Sequence, residues 1–189
     1  MIQPVITIVL LALTAIAAAQ QPPDFKVQVW GSSQIEFTKL VSGYAELRAA
    51  AQAGAPVLAV TDDPREIQRA ELVLAARIRM ARAGAKRGDI FTREIAAAFR
   101  RALSAEMNPR TWAAIMQDNP EEFEYAINGV YPKGRPLSTM PPNILAKLPA
   151  LPPGLEYRFV GRHLILHDTD ANIIIDRLPR AISCRGCPS

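Results

Sequence analysis

The chain is short of the residue types that build most small reaction centres. Its 189 residues include two cysteines and two histidines, and aromatic residues make up 6% of the total. Two cysteines exclude a disulfide-built scaffold, so a hydrophobic core has to carry stability. So few rings predict a thin, aliphatic core. No Gly-x-Ser-x-Gly elbow offers a serine nucleophile, and no glycine-rich phosphate loop or dinucleotide fingerprint occurs. No cysteine follows the leading apolar run, which excludes a bacterial lipoprotein attachment site there. Haem attachment needs histidine directly after a C-x-x-C pair, and that position is Pro188. No motif calls for a cofactor.

Apolar residues, by contrast, make up 49% of the chain, which excludes global disorder. Many are alanine, which favours helices more than it fills cores. The first of these runs, Val5 to Ala17, leads into Ala18, Ala19 and Gln20. Small residues at Ala17 and Ala19 suit a signal peptidase, so a cut between Ala19 and Gln20 is predicted. The run is shorter than the ~20 residues of a comfortable membrane span. Met1 to Pro4 hold no lysine or arginine, so the terminal amine is the only positive charge ahead of it. Export to the periplasm or exterior is expected, with no stable transmembrane span after processing; an uncleaved N-terminal anchor is the alternative. The predicted organisation is a signal at 1–19, a spacer at 20–24, one domain at 25–182 and a flexible, cysteine-containing tail at 183–189.

Within the domain, Phe25, Val27 and Val29 alternate with polar residues and predict a short strand ending at Gly31. Phe37, Leu40, Val41, Tyr44, Leu47 and Ala51 recur at helical steps, predicting a helix from about Gln34 to Gln52 with Gly54 as its cap. Val57 to Val60 reads as extended. Asp63, Pro64 and Glu66 form a strong helix start, with Gly84 as a left-handed stop after Ala83. A second helix is expected from Asp89 or Thr92 to Met107, packed against the first as an antiparallel hairpin. Asn108-Pro109 and Asn119-Pro120 each start a short helix, the latter with a capping-box-like pair of Asn119 and Glu122, closed by Asn128-Gly129. Seven prolines between Tyr131 and Gly154 mark a semi-rigid connector with one helical turn near Asn143 to Leu148. Glu156 to Leu178 reads as a β-hairpin turning at Asp168 to Asn172. The fold class is therefore α+β, a helix-rich single domain with a helical hairpin and a C-terminal antiparallel β-hairpin.

Val60-Thr61-Asp62-Asp63-Pro64, Gly88-Asp89-Ile90-Phe91-Thr92, Tyr131-Pro132-Lys133-Gly134 and the run Leu155 to Arg162 together resemble a group of short exported bacterial proteins of unknown function. The resemblance covers most of the chain after the leader. It implies export and a single module, and brings no activity or catalytic residue.

Charge is the strongest asymmetry. Net charge is +4, yet the window from Arg77 to Arg101 alone holds eight bases (Arg77, Arg79, Arg82, Lys86, Arg87, Arg93, Arg100, Arg101) against Asp89 and Glu94. Outside the cytoplasm such a face suits an anionic envelope component or an acidic protein. No basic–aromatic interleaving accompanies it, so nucleic acid is not an expected partner. A plain solvated helix face is the simpler alternative.

Cys184 and Cys187 form a C-x-x-C pair outside any βαβ pattern, which suggests a local disulfide or an exposed thiol pair. His163 and His167 share a strand face and could complete a two-cysteine, two-histidine zinc set, although their strand placement does not match the H-x-x-x-H helix of ordinary zinc sites and no second C-x-x-C occurs. Asp168, Asp170 and Asn172 lack the glycine and distal glutamate of a Ca²⁺ loop and read as turn residues. The acid pairs Asp62-Asp63 and Glu121-Glu122 sit where helix N-termini favour negative charge. The reading is a non-catalytic envelope or periplasmic binding module. A redox or metal role for the cysteines and histidines is the first alternative, and a two-acid envelope hydrolase the second.

Overall fold

The computed structural model describes residues 25–53, 55, 61–119 and 122–187. The expected signal, its cut site, the spacer, the Gly54 cap and the Val57–Val60 segment lie outside the described residues. Among the described residues five helices precede three strands: α1 (Phe25–Ala53), α2 (Pro64–Ala81), α3 (Arg93–Glu106), α4 (Pro109–Met116), α5 (Pro142–Leu145), β1 (Leu155–Val160), β2 (His163–Asp168) and β3 (Ile173–Leu178). This is an α+β single domain with antiparallel strands at its C-terminal end.

The strand expected at Phe25 to Val29 is instead the start of α1. The α1 stripe, which the sequence shows from Phe37 to Ala51, continues upstream through Ser33 and half-buried Trp30 at the same steps. A five-residue alternation yields to that longer period. Gly31 does not stop the element, and a Cβ there would meet open space.

Asp63 caps α2 by accepting the Arg65 amide, and Pro64 occupies the first helical position, as the sequence predicts. The helix ends at Ala81 with Arg82 as its cap, and Gly84 is not left-handed. The expected pairing of α2 with α3 is also revised, since each takes its main helix contacts from α1. The connector explains why. Asp176 of β3 receives the amides of Gly88, Ile90 and Phe91, which draws the linking segment onto the sheet.

Gly161 and Arg162 form a tight turn that divides the expected two-stranded hairpin into a three-stranded meander, β1–β2–β3. Val160 pairs with His163 across it, and Gly161 takes φ 55°. Glycine at the first position of a two-residue loop permits that geometry. The return turn uses Asp168 as expected, its carboxylate accepting the Asp170 and Ala171 amides. The register shifts between Leu166 and His167 against β3.

One sheet face packs on the helices. The few rings are concentrated there rather than absent: Phe37 lies 4.9 Å from Phe99, which also meets Phe91 at 5.2 Å and Trp30 edge-on at 5.6 Å. Tyr157 completes the group, so the expected aliphatic core has an aromatic centre. The other face carries a smaller cluster of Val160, Ile165, Ile174 and Tyr131, covered by Phe123 and Tyr125.

No helix forms at residues 122–126, contrary to the Asn119 signal. Both ends of the Asn119 amide are engaged by the Gly161 backbone, at 2.8 and 2.9 Å, so it does not cap. The proline-rich connector is pinned as expected, through buried Ile144 and Leu148. Ser138 serves the β1 edge: its hydroxyl accepts from the Phe159 amide at 2.8 Å and donates to the Phe159 carbonyl at 2.9 Å. A side chain there takes the place of a fourth strand.

Candidate functional site

The eight bases of the Arg77–Arg101 window divide into two groups. Arg79 donates to the Asn128 carbonyl at 2.9 Å. Arg82 reaches the Asn128 side chain at 2.6 Å and the Ile175 carbonyl, and lies over the Tyr44 ring. Burial lowers the Arg82 pKa from its ordinary value, while Tyr44, Asp176 and Asp89 pull the other way. Arg100 donates to the carbonyls of Pro179 and Arg180. These three guanidiniums tie helices to the β3 region. Arg77 is half-buried on α2. Lys86, Arg87, Arg93 and Arg101 are exposed, and none has a carboxylate partner among the described residues.

Arg101 opens onto a cleft of about 520 Å³ between α3 and the segment after β3. Arg100, Ser104, Arg180 and Ser183 line it as well, and no carboxylate among the described residues does. Arg100 and Arg101 lie four and three residues before Ser104, so each neighbours it on the helix surface. Sequence spacing alone does not bring Arg180 and Ser183 to this site. They lie outside the basic window and reach it only because β3 ends beside α3. The one local signal is a base directly after the strand stop Leu178-Pro179.

A second cleft, of about 640 Å³, lies over the outer sheet face. It presents both signs of charge, being lined by Glu122 and Glu124 as well as His163 and Arg177. His163 Nε2 lies 3.1 Å from Glu122. The Arg177 guanidinium is committed to the Tyr125 ring at 5.1 Å.

Cys184 and Cys187 are joined as a disulfide. They pack against the helix-side core, whereas His163 and His167 lie on the outer face with Val160 and Ile165, so the two-cysteine, two-histidine zinc set is not assembled. Among the described residues no group of three or more His, Cys, Asp or Glu is placed to hold a metal ion. Ser138 is fully buried, with its hydroxyl engaged by the Phe159 backbone.

Of the acids weighed for hydrolysis, Asp63 is a helix cap and Glu122 faces His163. The two fully buried carboxylates among the described residues are elsewhere. Asp168 accepts from the Tyr44 hydroxyl at 2.7 Å and is ion-paired with Arg48 at 2.9 Å, and Asp176 receives backbone amides. Neither lines either of these two clefts.

His167 is buried between Glu156, at 3.0 Å from Nδ1, and Asn172, at 3.2 Å from Nε2. Burial alone would raise the Glu156 pKa, but hydrogen bonds from His167 and Arg158, with the charges of both, bring it from 4.5 down to about 2. The folded value is depressed, so Glu156 stabilises the fold fully above about pH 4.5 and loses that contribution as pH falls towards 2. Melting Glu156→Gln beside the wild type across this range is expected to show a wild-type advantage at pH 6 that closes near pH 2. A gap independent of pH would contradict this account of the ionised carboxylate.

No protein family, curated protein or solved structure matches this chain. No helix among the described residues is long and apolar enough to cross a membrane.

Proposed function

We propose that the chain is an exported, non-catalytic binding module whose basic face meets an anionic component of the cell envelope. The observation that carries this reading is the set of exposed, unpaired bases running from Lys86 and Arg87 through Arg93 and Arg101 to Arg180. A solvated face needs no such imbalance, and uncompensated cations attract anions over roughly a Debye length, about 8–10 Å at physiological salt. The leading apolar run and the Cys184–Cys187 disulfide support an exported, oxidising location.

The test is charge reversal at positions the fold does not use. Lys86→Glu, Arg87→Glu and Arg93→Glu together should cut sedimentation with vesicles containing phosphatidylglycerol by at least about tenfold, using the ~1 kcal/mol per base expected near an anionic surface. Arg79 and Arg82 stay unchanged, because their loss would damage the fold. Undiminished binding by the triple variant would refute the reading.

A further inference from the structure

We infer that the cleft between α3 and the turn after β3 is a site for a phosphate group, gripped by Arg101 and Arg180. The inference rests on the reading of the basic face as an anion-binding surface, and names the chemistry of its ligand. Its lining is the first support. Arg101 and Arg180, both exposed, line one concavity with Ser104 and Ser183, and no acid among the described residues lines it. Guanidiniums bind phosphate oxygens in pairs of parallel hydrogen bonds, and hydroxyls can donate to an oxygen left over.

The backbone of Arg180 is the second. Three non-glycine residues among those described have positive φ: Asn128, Asn172 and Arg180, the last at 46°. Asparagine enters this region readily, whereas a long side chain with a full Cβ does so at a cost. Glycine would be the relaxed choice at position 180. A strained position held by an arginine is where a functional demand on the side chain is expected.

The turn is also built to hold that strain. Arg100 donates to the Pro179 carbonyl at 2.8 Å and to the Arg180 carbonyl at 3.4 Å. The Ala181 amide reaches the Arg162 carbonyl at 2.8 Å, and Ala181 and Ile182 are buried behind it. Arg180 is thus fixed on both sides through the main chain, while its exposed guanidinium has no ion-pair partner among the described residues. Arg100 supports the turn; Arg101 and Arg180 are left to bind.

The experiment is a titration of the full chain with inorganic phosphate and with glycerol 3-phosphate, read by amide chemical shifts, beside binding to phosphatidylglycerol vesicles. Wild type, Arg101→Gln and Arg180→Gly are compared, with a melting curve for each. Saturable phosphate shifts near Arg101, Ser104 and Arg180 are expected, weakened about tenfold or more in either variant, as loss of a charge-assisted contact implies. Arg180→Gly should melt at or above the wild-type midpoint while losing the ligand. That combination separates a binding role from a structural one. A lowered midpoint with lost binding would make Arg180 a structural residue and overturn the inference.

Phosphate affinity unchanged in both variants would also overturn it. If Lys86, Arg87 and Arg93 reversal still abolishes vesicle binding in that case, the broader reading stands and only this site falls. Binding of free phosphate without vesicle binding supports the site and removes lipid as the source of the group. No binding of phosphate, glycerol 3-phosphate or vesicles by the wild type overturns site and reading together.

Discussion

Asp176→Ala should lower the melting midpoint by roughly 10 °C, on the scale of about 2–4 °C per kcal/mol for a chain of this size. Asp176 is fully buried on β3, and its carboxylate accepts the amides of Gly88 at 3.0 Å, Ile90 and Phe91 at 2.8 Å and Arg177 at 2.7 Å. Alanine leaves these donors without their acceptor in a space too dry to replace it, a cost on the order of 3–5 kcal/mol. The same loss frees the connector that carries Ile90 and Phe91 into the core. Asp176→Asn keeps one acceptor oxygen but turns an NH₂ towards amide donors, so it should fall between wild type and alanine. Thermal unfolding followed by circular dichroism checks the order. A shift of less than about 3 °C for alanine, about 1 kcal/mol, would mean that the connector is held by its apolar side chains alone.

Asp168→Ala is expected to have a comparable effect by a different route. Asp168 is fully buried, while the Arg48 side chain is 13% exposed, and their ion pair at 2.9 Å joins α1 to the β2–β3 turn. Arg48 is also ion-paired with Asp170. Tyr44 donates its hydroxyl to Asp168; burial first, and then the Asp168 carboxylate, push its pKa up and keep it a donor. Removing Asp168 leaves the Arg48 cation without its buried partner, a loss of about 3–5 kcal/mol. Arg48→Met in the same chain should recover part of that, because it removes the stranded charge and keeps an apolar stem. The double variant melting above Asp168→Ala is the expected outcome. A double variant whose losses simply add would show that Arg48 and Asp168 stabilise the fold independently of their ion pair.

The sequence and the structure agree where local chemistry decides. Asp63-Pro64, Thr92 and Asn108-Pro109 each start a helix because a side-chain oxygen accepts an otherwise orphaned amide two or three residues on. Asp168 makes its turn for the same kind of reason. Sequence and structure part where a distant partner outbids the local signal. Asn119 has the makings of a helix cap, but the Gly161 backbone claims it from 42 positions away. The alternation at Phe25 to Val29 looks like a strand until the α1 stripe is followed back to Trp30. Gly161-Arg162 reads as strand because Leu164 to Leu166 continues the apolar run beyond it.

The candidate site is legible in part. Its charge is visible as a cluster in the Arg77–Arg101 window, but linear spacing does not distinguish bases that clamp carbonyls from bases that face solvent. Arg79, Arg82 and Arg100 belong to the first kind. Arg180 joins the second only through the three-dimensional approach of β3 to α3. The buried acids are hidden likewise, since Asp176 in Ile175-Asp176-Arg177 carries no local mark of three amides arriving from the far connector.

The most direct measurement of the central claim is partitioning of the chain onto phosphatidylglycerol and phosphatidylcholine vesicles at two ionic strengths. The apolar run from Val5 to Ala17 would favour both lipids alike, so the difference between them reports the basic face. The account predicts preferential binding to phosphatidylglycerol at low salt, collapsing as added salt shortens the Debye length from about 30 Å at 0.01 M to about 8 Å at 0.15 M. Equal partitioning onto both lipids, or a preference that salt does not touch, would contradict it.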